Sequence, residues 1–242
     1  MPLMCGRMTQ QTSPSEIARI FDAELRDPDE QAALGPRFNV APTQPVRVVV
    51  QRDDGRSVEL HRWGLVPSWS KGPGQVGARL INARVETVST NPSFRASLLG
   101  RRCIVPADGF YEWRREGRAR EPFLIRPTDG QTLAFAGLWA PWRDPASGEW
   151  LLSASVVTTA ADETVAQLHD RMPVILRPAA WLPWLDPQLR DGQALEHLLH
   201  EQSRRRLELV AVSPRVNSPH NEGPELVEPY QPPVHATLFG GG

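Results

Sequence analysis

The chain has 242 residues, 40% of them hydrophobic and 23% charged, with a formal net charge of -1. That composition supports a substantial core in one domain spanning 1–242, and it excludes attraction of nucleic acid by bulk charge, so any DNA-binding charge must be concentrated in one groove. No apolar run is long enough to span a bilayer and the first fifteen residues carry no apolar secretory segment, so the expectation is a cytoplasmic protein with no membrane partner.

Eighteen glycines and 24 prolines predict many turns rather than long helices. A first helix is expected over Ser13–Leu25, capped by Thr12, Ser13, Pro14 and Glu16 and carrying Ile17, Ile20, Phe21 and Leu25 at helical spacing. Residues Asp27–Pro36 read as a surface loop or short helix. Val46–Gln51 and Val58–Trp63 flank Asp53-Asp54-Gly55 as a β-hairpin. The Pro-, Gly- and Ser-rich stretch Val66–Gly77 reads as a loop suited to function. Leu80–Val85 and Arg102–Pro106 are short apolar runs around a small helix, Pro92–Leu99. Tyr111–Trp113, Phe123–Ile125, Leu133–Leu138 and Leu151–Thr158 follow as strands, with turn formers between them. Thr164–His169 is a helical turn before a strand, Met172–Leu176. Pro178–Leu185 and Gln193–Gln202 are helical, Leu207–Val212 is a last strand, and residues from Pro219 onward run irregularly. The fold class is therefore α+β: a mixed, strongly curled β-sheet or open barrel with peripheral helices.

Cys5 and Cys103 are the only cysteines. They could form one bridge, but without a CxxC they make neither a disulfide scaffold nor a cysteine-based zinc site, and no metal or cofactor is expected. Lys71 is the only lysine, so amine chemistry with an aldehyde has two nitrogen sources, Lys71 and the chain's own amino terminus.

Several segments carry polar groups that suit chemistry. In Ile81–Thr87 the period-two alternation puts Asn82, Arg84 and Glu86 on one face, either a solvated surface or a set of donors for a sugar-phosphate. Glu112 lies among Phe110, Tyr111 and Trp113; it either points outward or is desolvated, with a raised pKa suited to proton transfer. His169 precedes a proline-marked turn, where it is either structural or a positioned acid–base group. Trp69 sits in the functional loop and can stack on a base, whereas Trp63 reads as a core anchor. Arg7, Arg101-Arg102 and Arg114-Arg115 are candidate phosphate contacts or plain surface charge. Cys5 follows Met4 directly. Removal of that methionine leaves a 1,2-aminothiol, whose amine has a pKa of about 7.7–8.0 and stays partly unprotonated near neutrality. The amine condenses with an aldehyde, and the thiol then closes a five-membered thiazolidine intramolecularly.

Met4-Cys5-Gly6-Arg7, Asn39-Val40-Ala41-Pro42, Trp63-Gly64-Leu65-Val66-Pro67, Ile81–Thr87, Phe110-Tyr111-Glu112-Trp113 and His169-Asp170-Arg171-Met172-Pro173, in that order, resemble the SOS response-associated peptidase family, described as abasic-site processing proteins. The similarity covers Cys5 to about Pro229. It implies a fold of mixed α and β structure with a positive groove for single-stranded DNA, including junctions with duplex, and a monomer that joins the nucleoid when DNA is bound. It further implies that Cys5 forms the thiazolidine with an abasic-site aldehyde, that Asn82 bonds near the linkage, and that Glu112 transfers protons during ring opening and Schiff-base formation. His169 corresponds to a histidine assisting β-elimination at the lesion and reversal, Arg7 and Arg84 to phosphate contacts, and Trp69 and Trp113 to DNA-facing aromatics. Residues 1–3 depart from the family pattern, and the expectation is either that Met4 is the true start or that a short leader is removed. Two rival functions remain open. One is a cysteine peptidase using Cys5, His169 and Glu112, acting on peptides generally or only on its own leader. The other is a nucleic-acid-binding module without catalysis.

Overall fold

The computed structural model describes residues 5–76, 79–117, 119–201 and 205–231; the expectations for residues 1–3 and for 232–242 lie outside these. Strands run in chain order as β1 (Met8–Gln10), β2 (Glu24–Leu25), β3 (Arg37–Val40), β4 (Pro45–Arg52), β5 (Gly55–Trp63), β6 (Asn82–Arg84), β7 (Arg102–Ala107), β8 (Gly109–Glu116), β9 (Ala119–Pro127), β10 (Leu133–Arg143), β11 (Trp150–Ala160), β12 (Arg171–Pro173) and β13 (Leu207–Ala211). The helices are α1 (Pro14–Phe21), α2 (Pro28–Leu34), α3 (Pro73–Val76), α4 (Arg95–Gly100), α5 (Pro178–Leu185) and α6 (Gly192–His200).

The curled sheet closes on itself. Neighbours β5, β4, β7, β10 and β11 pair antiparallel in that order. A short parallel contact of Ser153 with Arg62 and Ala154 with Trp63 joins β11 back to β5. Beyond that contact β6 runs parallel to β11, with Val156 opposite Asn82 and Thr158 opposite Arg84, while β12 pairs β11 antiparallel at Thr158–Ala160. A second sheet has the order β13-β9-β8-β1-β3. Its Met8, Phe110 and Ile125 pack with the barrel's inward Val48, Cys103, Phe135 and Val156, while Tyr111 and Leu124 pack outward against Val212, Val216 and Leu226. A third cluster lies between the barrel's outer face and the helices, built from Ile17, Phe21, Leu98, Trp184 and Leu195 against Val49, Val58 and Ile104.

Where the structure departs from the expected elements, local chemistry explains it. Helix α1 is capped as expected, with Ser13 Oγ accepting from the Glu16 amide, but it ends at Phe21 because Asp22 turns left-handed at φ 47°. Leu25 therefore belongs to β2, which pairs parallel with β5, and not to the helix. Asp27–Pro36 resolves into α2, and the loop after Val66 carries the one-turn α3. The strand expected over Met172–Leu176 is shorter, although Ile175 still bridges to Phe135. Strands β1 and β3 were not signalled by alternation: β1 is buried on both faces, and β3 is a short strip at the sheet edge. No described helix is long and apolar enough to cross a membrane.

Candidate active site

The site forms where the second sheet meets the barrel's β6 and β12 edges. Met8 pairs with Phe110 and Thr9 with Gly109, and the Tyr111 amide donates to the Arg7 carbonyl at 3.0 Å. This register carries Cys5, just ahead of β1, to Glu112 on β8. The Cys5 backbone nitrogen donates to Glu112 Oε1 at 2.8 Å, and Cys5 Sγ donates to the Arg171 carbonyl at 3.9 Å. Cys5 is 4% exposed and Glu112 is 3% exposed. The alternation places Glu112 on the same face as Phe110, toward the core, so the outward-pointing alternative for this residue does not hold.

Burial dominates the electrostatics. It raises the Glu112 carboxyl above the ordinary value, opposed by the Cys5 N–H and by the nearby His169. The Cys5 thiol is pushed well up, first by burial and then by the Glu112 charge. Arg7 is lowered by burial. Its Nη1 donates to Asn39 Oδ1 at 2.6 Å and to the Val216 carbonyl at 2.7 Å. No described carboxylate pairs with it, so it leaves a positive charge at the cleft wall. Its guanidinium also sits 5.8 Å from the Trp113 ring, whose Nε1 donates to Asn217 Oδ1 at 2.6 Å.

The cleft over these groups has a volume of about 700 Å³. Arg7, Glu112, Trp113 and His169 line it, together with Arg114 and Arg120 of the β8–β9 hairpin and with Asn217. His169 Nδ1 accepts from the Arg171 amide at 3.0 Å and also lies 3.0 Å from Asp170 Oδ1. Asn82 and Arg84 are not among the lining residues. They sit on β6, half-buried and exposed respectively, on a face shared with Glu86, while Ile81, Ala83 and Val85 are buried. Arg171 ties that strand to the site: Nη1 and Nη2 donate to Glu86 Oε1 at 2.5 Å and Oε2 at 2.8 Å, and Nη2 donates to the Thr158 carbonyl at 2.8 Å. Trp69 stands apart on its loop, 61% exposed, whereas Trp63 is a buried anchor with Nε1 donating to the Ile81 carbonyl.

Both cysteines are free, and no described group of His, Cys, Asp and Glu is arranged to hold a metal ion. The side chain of Arg115 lies outside the description, and Arg101 and Arg102 lie away from the cleft, Arg102 buried on the carbonyls of Leu98 and Trp184. Arg171, Arg120 and Asn39 were not singled out as site residues from sequence. The one available signal was that Asn39 and Arg171 fall inside ordered motifs.

Residues 4–219 match the family model described as SOS response associated peptidase (SRAP). The chain belongs to this family. An SRAP relative, the abasic site processing protein YoqW of Bacillus subtilis, is 38% identical over 226 residues, covering 93% of this chain and 99% of its own. YedK of Escherichia coli, with the same description, is 34% identical over 230 residues, covering 93% and 100%. HMCES of Gallus gallus, again an abasic site processing protein, is 31% identical over 266 residues, covering 94% of this chain and 78% of its own. Among solved structures, a protein from Bacteroides thetaiotaomicron superimposes with a TM-score of 0.83 at 24% identity, covering 94% of this chain and 100% of that one, which shows that the two share a fold. A phage-related protein of Bordetella bronchiseptica gives a TM-score of 0.69 at 27% identity, covering 90% and 99%.

Proposed function

We propose that this protein captures abasic sites in single-stranded DNA, including sites beside a duplex junction, as a thiazolidine on Cys5. The observation that carries the reading is the 2.8 Å contact between the Cys5 nitrogen and a buried Glu112. With Cys5 as the first residue, its α-amine attacks C1′ of the ring-opened sugar, and water leaves to give an imine. The thiol then adds to the same carbon, and its proton passes to the ring nitrogen, so one water is lost overall. Glu112, its carboxyl raised by burial, moves protons between the sugar oxygen and the amine. Arg7 offers an uncompensated charge to a phosphate, Trp113 an aromatic wall, and Arg84 and Trp69 outer contacts on the strand's approach. Asn82 donates near the linkage, and His169 serves scission of the 3′ phosphate and reversal. The protein acts as a cytoplasmic monomer that gathers at the nucleoid on DNA.

The thiol's surroundings speak against a peptidase nucleophile. Such an enzyme needs a thiolate, and here burial and Glu112 both disfavour it. Mixing protein that begins at Cys5 with an oligonucleotide carrying one abasic site tests the reading. A heat-stable adduct should form on single strands and much less on duplex, vanish in Cys5→Ala, and form roughly 100-fold more slowly in Glu112→Gln. An undiminished adduct from Cys5→Ala would refute it.

A further inference from the structure

We infer that Asn217 is a DNA-binding residue: its side-chain amide nitrogen donates to a phosphate oxygen beside the lesion, on the phosphate that Arg7 also holds. This rests on the proposed binding of single-stranded DNA and adds to it a contact that carries no charge. An indole Nε1–H can only donate. Trp113 Nε1 lies 2.6 Å from the Asn217 side chain, so the amide atom facing it is the oxygen, Oδ1. The orientation of the amide is thereby fixed, and Nδ2 is the end left for another molecule. Asn217 is exposed and lines the cleft, and Nδ2 has no acceptor among the described residues.

The backbone beneath this side chain is held on both sides. Asn39 Nδ2 donates to the Ser218 carbonyl at 2.9 Å, and Arg7 Nη1 donates to the Val216 carbonyl at 2.7 Å. The second bond brings the guanidinium alongside, 5.8 Å from the Trp113 ring. Arg7 spends Nη1 on Val216 and Asn39, while its Nη2 has no acceptor among the described residues. Two unspent donors, Arg7 Nη2 and Asn217 Nδ2, therefore neighbour the same aromatic ring on the cleft wall. The one carboxylate lining the cleft, Glu112, is held by the Cys5 nitrogen. A group that only accepts and carries negative charge suits such a pair, and a backbone phosphate is that group; arginine and asparagine are both common phosphate donors. Because Trp113 and Asn39 hold the amide in place before DNA arrives, the contact costs little ordering of the protein.

The test measures binding of the full chain to a single strand carrying a tetrahydrofuran abasic analogue, which has no aldehyde to capture. Affinity should fall about tenfold in Asn217→Ala. The slope of log affinity against log salt should stay the same, since an amide displaces no counterion. Asn217→Asp should bind more weakly still, although its carboxylate can accept from Trp113 as the amide oxygen does. The indole N–H of Trp113, followed by ¹⁵N NMR and assigned by its loss in Trp113→Phe, should accordingly keep its hydrogen-bonded shift in Asn217→Asp and lose it in Asn217→Ala. A series of strands, each with one phosphate replaced by an uncharged methylphosphonate, locates the contact: the Asn217→Ala loss should vanish at one position beside the lesion and persist at the others. Unchanged affinity in Asn217→Ala, a loss equal at every replaced phosphate, or a salt slope shallower by about one, which would mean that Arg7 had been displaced, overturns the inference. An indole shift in Asn217→Ala equal to that of the unsubstituted protein also overturns it, because the amide oxygen then does not face Trp113. Failure of the unsubstituted protein to form an adduct with a true abasic site would remove the lesion-capture reading, and the binding series would still decide the role of Asn217.

Discussion

Cys5 and Glu112 form a pair in which the carboxylate makes the thiolate costlier, while hydrogen bonds from Cys5 favour the carboxylate against its burial. Glu112 raises the thiol, and the loss of water around both raises the carboxyl. A thiol held in this way is a poor free nucleophile and a good second partner, because ring closure needs it only after the amine has bound the aldehyde. Alkylation of Cys5 by a neutral reagent near pH 8 should therefore be slower than that of a free cysteine. Glu112→Gln should speed it, since removing the carboxylate favours the thiolate, and Cys5→Ser should identify the reacting site. Rapid alkylation of the unsubstituted protein would indicate an activated peptidase-type cysteine. At this scale the sequence showed which residue types were present and the period-two face of Glu112, but not its burial. Whether a strand's polar residue faces solvent depends on what packs over it, and here that is the segment ahead of β1, contributed by residues more than a hundred positions away.

Among the elements, the one that orders the cleft wall is the 3₁₀ segment Pro214–Asn217, held from a distance by β3. Asn39 is fully buried; its Nδ2 donates to the carbonyls of Ser218 at 2.9 Å and Asn221 at 2.8 Å, while its Oδ1 accepts from Arg7. Asn39→Ala strands two carbonyls and an arginine at once, at a cost of about 2–3 kcal/mol. A urea titration should show that loss, and single-strand affinity should weaken with a shallower salt dependence if Arg7 is displaced from its phosphate. Affinity unchanged alongside lost stability would place Arg7 outside the DNA contact. The Asn39–Pro42 motif was visible in the sequence, but β3 was not, because a four-residue strand at a sheet edge leaves almost no periodicity to read. The β4–β5 hairpin, with its two long alternating arms, was legible for the opposite reason.

At the scale of the whole molecule, the barrel interior is not wholly apolar. Opposite Val46, Val48 and Val50, strand β5 points His61, Glu59 and Ser57 inward. Arg52 clasps Glu59 at 2.8 and 2.5 Å and stacks on Trp139 at 4.4 Å, and His61 Nε2 lies 3.1 Å from Glu59 Oε2. Burial lowers His61 below its ordinary value. Burial alone would raise Glu59, but its bonds to Arg52, His61 and Ser57 outweigh that and hold it well below the carboxylate range. Both folded values lie under the unfolded ones, so both groups give stability that is present at neutral pH and lost as the solution is acidified. His61 contributes to the loss from about pH 6.5 downward and Glu59 from about pH 4.3. Urea midpoints should fall between neutral and mildly acid solution, and His61→Phe should flatten the upper part of that fall; an equally steep fall in the variant would contradict this assignment. Barrel closure through two residue pairs of β5 and β11 lay beyond the sequence, since a parallel contact between strands some ninety residues apart leaves no local trace.

The central claim is that a nitrogen and a sulfur of one leading residue lock an aldehyde into a ring beside Glu112. Intact-mass and peptide-mapping analysis of the product formed with an abasic oligonucleotide tests it most directly. The account predicts a product weighing the sum of protein and oligonucleotide less one water, mapped to Cys5 in protein that begins at Cys5. A product mapped to Lys71, or one formed equally well by protein still carrying Leu3 and Met4 ahead of Cys5, would contradict it.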